Sequence, residues 1–178
     1  MPVSSQVLKM FHNPVYIETG TFRCESLRAA IDADCFERFV TIELDDDLAQ
    51  TALRCFRNDP RVTCMHGSSA ARLAEALRMV GDDPATVYLD AHGLAGKTDG
   101  SPSPLIDELR TLAEFKRRDD TIIIDDAGVF GRAFRANVTE ADVRRLLDAI
   151  RDDYLTMRID NPHGAWGSLV ACPPERIA

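Results

Sequence analysis

The feature that most constrains the fold is a regular alternation between short apolar runs and longer segments of helical periodicity. The short runs are rich in β-branched residues and predict strands over residues 15–18, 39–44, 62–65, 86–90, 121–125, 154–159 and 166–172. Helical segments are predicted over residues 26–33, 45–56, 68–80, 104–116 and 139–152. This alternation of strands and helices predicts an α/β protein with a doubly wound sheet.

The C-terminal end of the chain departs from this alternation. The connection over residues 160–165 is too short for a crossover helix, so the last two strands are predicted to pair antiparallel. The run over residues 121–124 is almost wholly apolar, which is typical of a central parallel strand. The predicted fold is therefore a doubly wound, mostly parallel, seven-stranded sheet with a C-terminal antiparallel hairpin.

Length and composition narrow the class of protein. At roughly 100–200 residues per domain, the chain of 178 residues predicts a single domain over residues 1–178. Its net charge of −8 argues against nucleic-acid and anionic-membrane partners, which favour clustered Lys and Arg. No apolar run approaches the ~20 residues of a membrane span, and the N-terminal residues lack a signal peptide, so a cytoplasmic protein is expected. The five cysteines form no CxxC pair and predict neither a disulfide framework nor a zinc site.

The residues that follow each strand are the candidate site, because doubly wound sheets bind ligands at the carboxyl ends of their strands. Gly20 follows the first strand and permits a tight turn with close approach of a ligand. Glu43 ends the second strand, where an acid can accept hydrogen bonds from ribose hydroxyls or simply be a solvated charge. Gly67 and Ser68 follow the third strand and are small enough to contact an adenine edge. Neither GxGxxG nor a phosphate-binding P-loop occurs in the chain.

Three carboxylates follow the two strands predicted to be central. Asp90 ends the fourth strand, and Asp125 and Asp126 end the fifth. Left bare, such charges repel one another, and a Mg²⁺ ion held by carboxylate oxygens is a common way to offset the repulsion. The alternative is that Asp126 caps the next segment while Asp125 pairs with an Arg or Lys.

Several arginines near these strands are open to two interpretations. Arg132 and Arg135 could bind an anionic substrate or neutralise nearby carboxylates, and the second is favoured. Arg117 and Arg118 are predicted to form a solvated charge cluster.

Four stretches together resemble a known family. They read Val-Tyr-Ile-Glu-Thr-Gly-Thr over residues 15–21, Thr-Ile-Glu-Leu over 41–44, Val-Thr-Cys-Met-His-Gly-Ser over 62–68 and Val-Tyr-Leu-Asp-Ala-His over 87–92. The chain resembles the class I S-adenosylmethionine-dependent methyltransferases over residues 15–172. It is most similar to short bacterial members with an E-T-G-T opening and an L-D-G-H motif, and to metal-dependent O-methyltransferases of catechol and macrolide-sugar type.

The resemblance implies roles for individual residues. The cofactor would be bound at its methionine end by Glu18, Gly20 and Thr21, at its ribose by Glu43 and Leu44, and at its adenine by Gly67 and Ser68. Asp90 and His92 would face the sulfonium. A divalent cation, expected to be Mg²⁺, would be held by Asp90, Asp125 and Asp126. His92 or Lys97 would accept the proton of the methyl acceptor.

The predicted function is methyl transfer from S-adenosylmethionine to an oxygen of a small molecule, with a nitrogen as the less favoured acceptor and a divalent metal assisting. The chain departs from the family at residues 22–25, Phe-Arg-Cys-Glu, where the family usually has a second glycine. Two alternatives therefore stay open: a hydrolase or lyase that uses the metal site, and a binding module with a vestigial cofactor pocket. The amount of apolar surface on a short chain also leaves a homodimer open.

Overall fold

The structure is a computed structural model that describes residues 3–92, 103–132, 135–160 and 166–176. Its strands are β1 (Val15–Thr19), β2 (Arg38–Glu43), β3 (Val62–His66), β4 (Ala85–Leu89), β5 (Thr121–Ile124), β6 (Leu155–Ile159) and β7 (Ser168–Cys172). Its α-helices are α1 (Ser5–Met10), α2 (Glu25–Asp32), α3 (Asp46–Phe56), α4 (Ser69–Val80), α5 (Leu105–Glu114) and α6 (Glu140–Ile150). Two short 3₁₀ turns lie at Ala127–Val129 and Pro174–Arg176.

The seven strands form one sheet in the order β3-β2-β1-β4-β5-β7-β6. The first five strands along the chain pair in parallel, and β7 runs antiparallel to both β5 and β6. This confirms the predicted fold class and the C-terminal hairpin. The strand order reverses between β1 and β4, and the crevice at that switch point is where sheets of this kind bind ligands.

Two apolar layers cover the sheet. Alternate residues along a strand point to opposite faces, so Ile17 packs into the layer with α4, α5 and α6, whereas Tyr16 packs into the layer with α1 and α2. Every residue of β1, β4 and β5 is buried, as expected of strands covered on both sides. The layers hold the sheet rigid, so residues just past the strand ends are placed by the fold.

Side chains cap the first turns of α3 and α6. Asp45 accepts a hydrogen bond from the Leu48 amide, 3.1 Å away, at the start of α3, and Thr139 accepts one from the Asp142 amide at the start of α6. The periodicity did not predict α1, a helix of six residues that Ser4 caps and whose Leu8 is buried. Within the described ranges, no helix has the length and apolarity needed to cross a membrane.

Candidate cofactor and metal site

Gly20 brings the end of β1 against the end of β4. Its φ is +83°, and its amide donates to the carbonyl of Ile42 at 2.9 Å. A Cβ added at Gly20 would lie 2.8 Å from the carbonyl oxygen of Asp90 and 3.1 Å from the Cα of Ala91. Glycine is therefore required here both by the backbone conformation and by the close approach of the two strand ends.

Replacing Gly20 with alanine is expected to weaken binding of S-adenosylhomocysteine by more than about tenfold, because the new methyl group must push the β4 end out of the site. The positive φ adds about 1–2 kcal/mol of backbone cost. Gly81→Ala is the matched control, since Gly81 also has a positive φ of 71° but nothing lies within 4 Å of the added Cβ. The control should lose stability and keep its affinity, as measured by calorimetry and thermal unfolding. Equal affinities in the two variants would contradict the close-approach argument.

Glu18 and Thr21 lie beneath the turn rather than on its surface. Both side chains are buried, and Glu18 accepts hydrogen bonds from the Thr41 hydroxyl at 2.7 Å and from the Tyr16 hydroxyl at 3.2 Å. The hydroxyls of Thr21 and Thr41 are also in contact. Burial is the largest influence on the Glu18 carboxyl and raises its pKa to about 7. The hydrogen bonds that it accepts lower the pKa by less. The two side chains support the turn, and their predicted contact with the methionine end of the cofactor stays a prediction.

Two residues of the Phe-Arg-Cys-Glu segment over residues 22–25 take a left-handed backbone conformation. Phe22 has a φ of +47° and Cys24 a φ of +64°. Cys24 is buried, whereas Phe22 is partly exposed with the Arg23 guanidinium 5.1 Å from its ring centroid. Non-glycine residues adopt this region at a cost, so the surrounding contacts must hold the segment in place.

Glu43 supplies one of those contacts. Its Oε2 accepts a hydrogen bond from the Phe22 amide at 2.7 Å, and its Oε1 accepts one from the Asp45 amide at 2.9 Å. A carboxylate has about four acceptor positions, so the side chain still has capacity for hydroxyl donors. Leu44 follows it and is 47% exposed, and Gly67 donates its amide to the Glu43 carbonyl at 2.8 Å. These residues and the partly buried Ser68 are at the carboxyl ends of β2 and β3, as predicted.

A second group of polar residues lies past β4 and β5. Nε2 of His92 lies 3.6 Å from an oxygen of Asp90 and 3.4 Å from an oxygen of Asp126. One ligand atom of each of the three residues lies within 4.8 Å of the others. Burial, followed by the charge of Asp125, raises the pKa of both Asp90 and Asp126. Two carboxylates and an imidazole in this arrangement are a donor set that fits a divalent cation.

The carboxylate of Asp125 is not part of the group formed by Asp90, His92 and Asp126. Its two oxygens accept hydrogen bonds from the Tyr88 hydroxyl and the Ser168 hydroxyl, each at 2.7 Å. Asp125 is buried, whereas its neighbour Asp126 takes a left-handed conformation with a φ of +53°. The structure therefore brings together two of the three predicted metal ligands and adds His92, which the sequence reading had placed only at the sulfonium and as a base.

The remaining sequence predictions have separate outcomes. Arg135 is fully buried near the acidic group, which favours neutralisation over substrate binding, and Arg132 donates to the Gly128 carbonyl at 2.7 Å. The prediction that Arg117 is solvated is wrong, because its side chain is 7% exposed and pairs with the buried Asp120. Lys97, the other predicted base, lies outside the described residues.

Comparisons with known proteins agree with the fold. No protein-family model and no curated protein sequence matches this chain. The SAH-bound methyltransferase PaMTH1 from Podospora anserina is 13% identical, with 94% of this chain and 75% of that chain aligned and a TM-score of 0.61. A candidate O-methyltransferase from Klebsiella pneumoniae is 18% identical, with 94% and 76% aligned and a TM-score of 0.60.

These similarities define the class of fold. The chain has the fold of the class I S-adenosylmethionine-dependent methyltransferases, as its motifs predicted. A spermidine synthase from Thermotoga maritima also matches, at 15% identity over 92% of this chain and 56% of that one, with a TM-score of 0.54. Because the fold is shared with that enzyme, the reaction must be argued from the site itself.

Proposed function

We propose that this protein transfers a methyl group from S-adenosylmethionine to an oxygen atom of a small molecule, with a divalent cation assisting. One observation carries the proposal. Asp90, His92 and Asp126 converge at the strand ends next to Gly20, whose missing side chain leaves the β1 and β4 ends in close contact. The polar group and the turn thus meet at the switch point of a methyltransferase fold.

The residues around Gly20 fit the adenosyl cofactor. When bound, S-adenosylmethionine supplies an electrophilic methyl group on a cationic sulfonium. A sulfonium at the β4 end would favour the ionised form of Asp90, whose pKa burial raises, and would be attracted to it. Glu43 retains acceptor capacity for the ribose hydroxyls with the exposed Leu44 beside it, and Gly67 and Ser68 follow β3, where the adenine would lie. These residues bind and orient, which is most of what an in-line displacement requires of an enzyme.

The metal would be held by Asp90, His92 and Asp126. When bound there, a divalent cation would supply Lewis acidity that lowers the pKa of a hydroxyl on the acceptor. Mg²⁺ prefers oxygen ligands, and an imidazole in the set also admits Mn²⁺ and other transition metals. If His92 does not ligate the metal, it would accept the proton of the methyl acceptor, so its predicted role as a base stays part of the proposal.

Calorimetry tests the cofactor part directly. We expect S-adenosylmethionine and S-adenosylhomocysteine to bind the purified protein, each measured with and without Mg²⁺ or Mn²⁺. Methyl transfer is then measured from labelled cofactor to a panel of catechols and sugar hydroxyls. Absence of binding by both adenosyl compounds, with and without metal, would contradict the proposal.

Removing one carboxylate tests the metal part. Asp126→Ala is expected to weaken Mn²⁺ binding by at least about tenfold, because the site loses one of its two anionic ligands. Asp119→Ala is the control, since Asp119 is an acidic side chain that is 76% exposed and lies at the other edge of the sheet, ahead of β5. Transfer activity should fall in Asp126→Ala and in EDTA. Unchanged activity in both conditions would show that no metal is used.

A second candidate is a binding module without methyl transfer. It is favoured by the hydrogen bonds that both oxygens of Glu43 already accept from the Phe22 and Asp45 amides, which take two of the carboxylate's acceptor positions. Binding of a nucleoside without any transfer to the acceptor panel would support this candidate. Tight binding of S-adenosylmethionine with measurable transfer would exclude it.

A further inference from the structure

A buried arginine joins the two strand ends that carry the candidate metal ligands. Nη2 of Arg135 donates to the carbonyl of Leu89 at 3.4 Å and to the carbonyl of Asp125 at 3.1 Å. Its Nη1 donates to the hydroxyl of Ser103 at 3.0 Å, and the side chain is fully buried. Leu89 and Asp125 immediately precede Asp90 and Asp126. One rigid guanidinium therefore fixes the backbone on both sides of the metal group.

The charge of this arginine is balanced inside the protein. Burial lowers the pKa of Arg135. The buried carboxyl of Glu108 on α5 raises that pKa the most, and Asp90 and Asp126 raise it further. An unpaired buried guanidinium would be very costly, so the charges of these acidic residues offset the cost of burying Arg135.

We propose that Arg135 is a positioning residue that sets the spacing of Asp90 and Asp126 by holding the ends of β4 and β5 together, and so determines the cation affinity of the site. The inference rests on the metal part of the proposed function. A lysine could not replace it, because its single nitrogen lacks the planar fork that reaches two carbonyls and a hydroxyl at once. Residues that orient metal ligands from behind typically change metal affinity about 10–100-fold when altered.

The test uses the full chain and two variants of Arg135. Arg135→Lys keeps the charge and removes the fork. The double variant Arg135→Met with Glu108→Gln removes both buried charges together, so that neither is left uncompensated if the lysine variant folds poorly. Ser103→Ala is the matched control, because it removes one contact of Arg135 and leaves both strand-end contacts in place. Three quantities are measured for each protein: Mn²⁺ affinity, S-adenosylhomocysteine affinity and melting temperature.

In both Arg135 variants the dissociation constant for Mn²⁺ should rise about 10–100-fold. Binding of S-adenosylhomocysteine should fall by less than Mn²⁺ binding does, because Arg135 makes no described contact with Gly20, Glu43 or Gly67 and reaches the cofactor side only through the β4 end. Ser103→Ala should keep both affinities within about threefold, with a lower melting temperature because Arg135 and the Leu105 amide each lose a hydrogen bond to the buried hydroxyl. Unchanged Mn²⁺ affinity in a folded Arg135→Lys protein would overturn the positioning role, as would a parallel loss of both affinities. An unaltered protein that binds S-adenosylhomocysteine but no Mn²⁺ would instead contradict the metal part of the proposed function.

Discussion

Arg117→Ala is expected to lower the free energy of unfolding by about 3–5 kcal/mol, because it leaves a buried carboxylate without its partner. Nε and Nη2 of Arg117 donate to the two oxygens of Asp120 at 2.7 and 2.8 Å. The same guanidinium donates to the carbonyls of Gly81 and Asp83 at 2.6 and 2.7 Å. Urea unfolding should therefore show a lower midpoint with an unchanged slope.

The neighbouring residue supplies the control for this prediction. Arg118 is 62% exposed and lies 3.8 Å from the still more exposed Asp152, so Arg118→Ala should change stability by less than about 1 kcal/mol. A second variant, Arg117→Met with Asp120→Asn, should lose less than Arg117→Ala because no buried charge is left unpaired. Equal losses in Arg117→Ala and Arg118→Ala would show that the buried pair does not stabilise the fold. Affinity for S-adenosylhomocysteine should not change, since Arg117 makes its contacts at the amino ends of the strands and Gly20 lies at the carboxyl ends.

Arg117 also shows where sequence reasoning stops. The two adjacent arginines are alike in the sequence, and both were predicted to be solvated. The turn after α5 gives them different environments. The Arg117 guanidinium binds the turn that precedes β4, whereas the Arg118 guanidinium lies in solvent. Glu108 is a second case. It lies on the same face of α5 as Leu105, Leu109 and Leu112, and the helical periodicity of that face accounts for its burial, whereas its charge alone favours an exposed position.

The strand ends were predictable because parallel strands carry a strong apolar signal and end at one edge of the sheet. Glu43, Gly67 and Asp90 consequently stand where the sequence placed them. Which of two adjacent carboxylates faces the site was not predictable. Asp125 continues the pleat of β5 and points to Tyr88, whereas Asp126 turns out through a left-handed backbone conformation. The spacing of His92 two residues after Asp90 was the signal that could have added it to the metal set.

Stability should fall by about 3 kcal/mol as pH rises from about 4.5 to about 7, through the titration of Glu18 alone. The ordinary pKa of this carboxyl is 4.5, and burial raises it to about 7 in the folded protein. Between these values the folded state holds a proton that the unfolded state has released, so raising the pH favours unfolding. Below about 4.5 both states are protonated and the contribution is fully present, and above about 7 it is lost.

Glu18→Gln isolates this contribution, because glutamine resembles the protonated carboxyl and does not titrate. The variant should match the unaltered protein near pH 4.5 and be the more stable of the two by about 3 kcal/mol above pH 7, as measured by urea unfolding across the range. Glu114→Gln, at an exposed position on α5, should leave the pH dependence unchanged. A constant difference between Glu18→Gln and the unaltered protein at all pH values would mean that the pKa of Glu18 is the same in the folded and unfolded states, so that the buried carboxyl is ionised at neutral pH. The hydroxyls of Tyr16 and Thr41 would then be sufficient to hold a buried charge beneath the Gly20 turn.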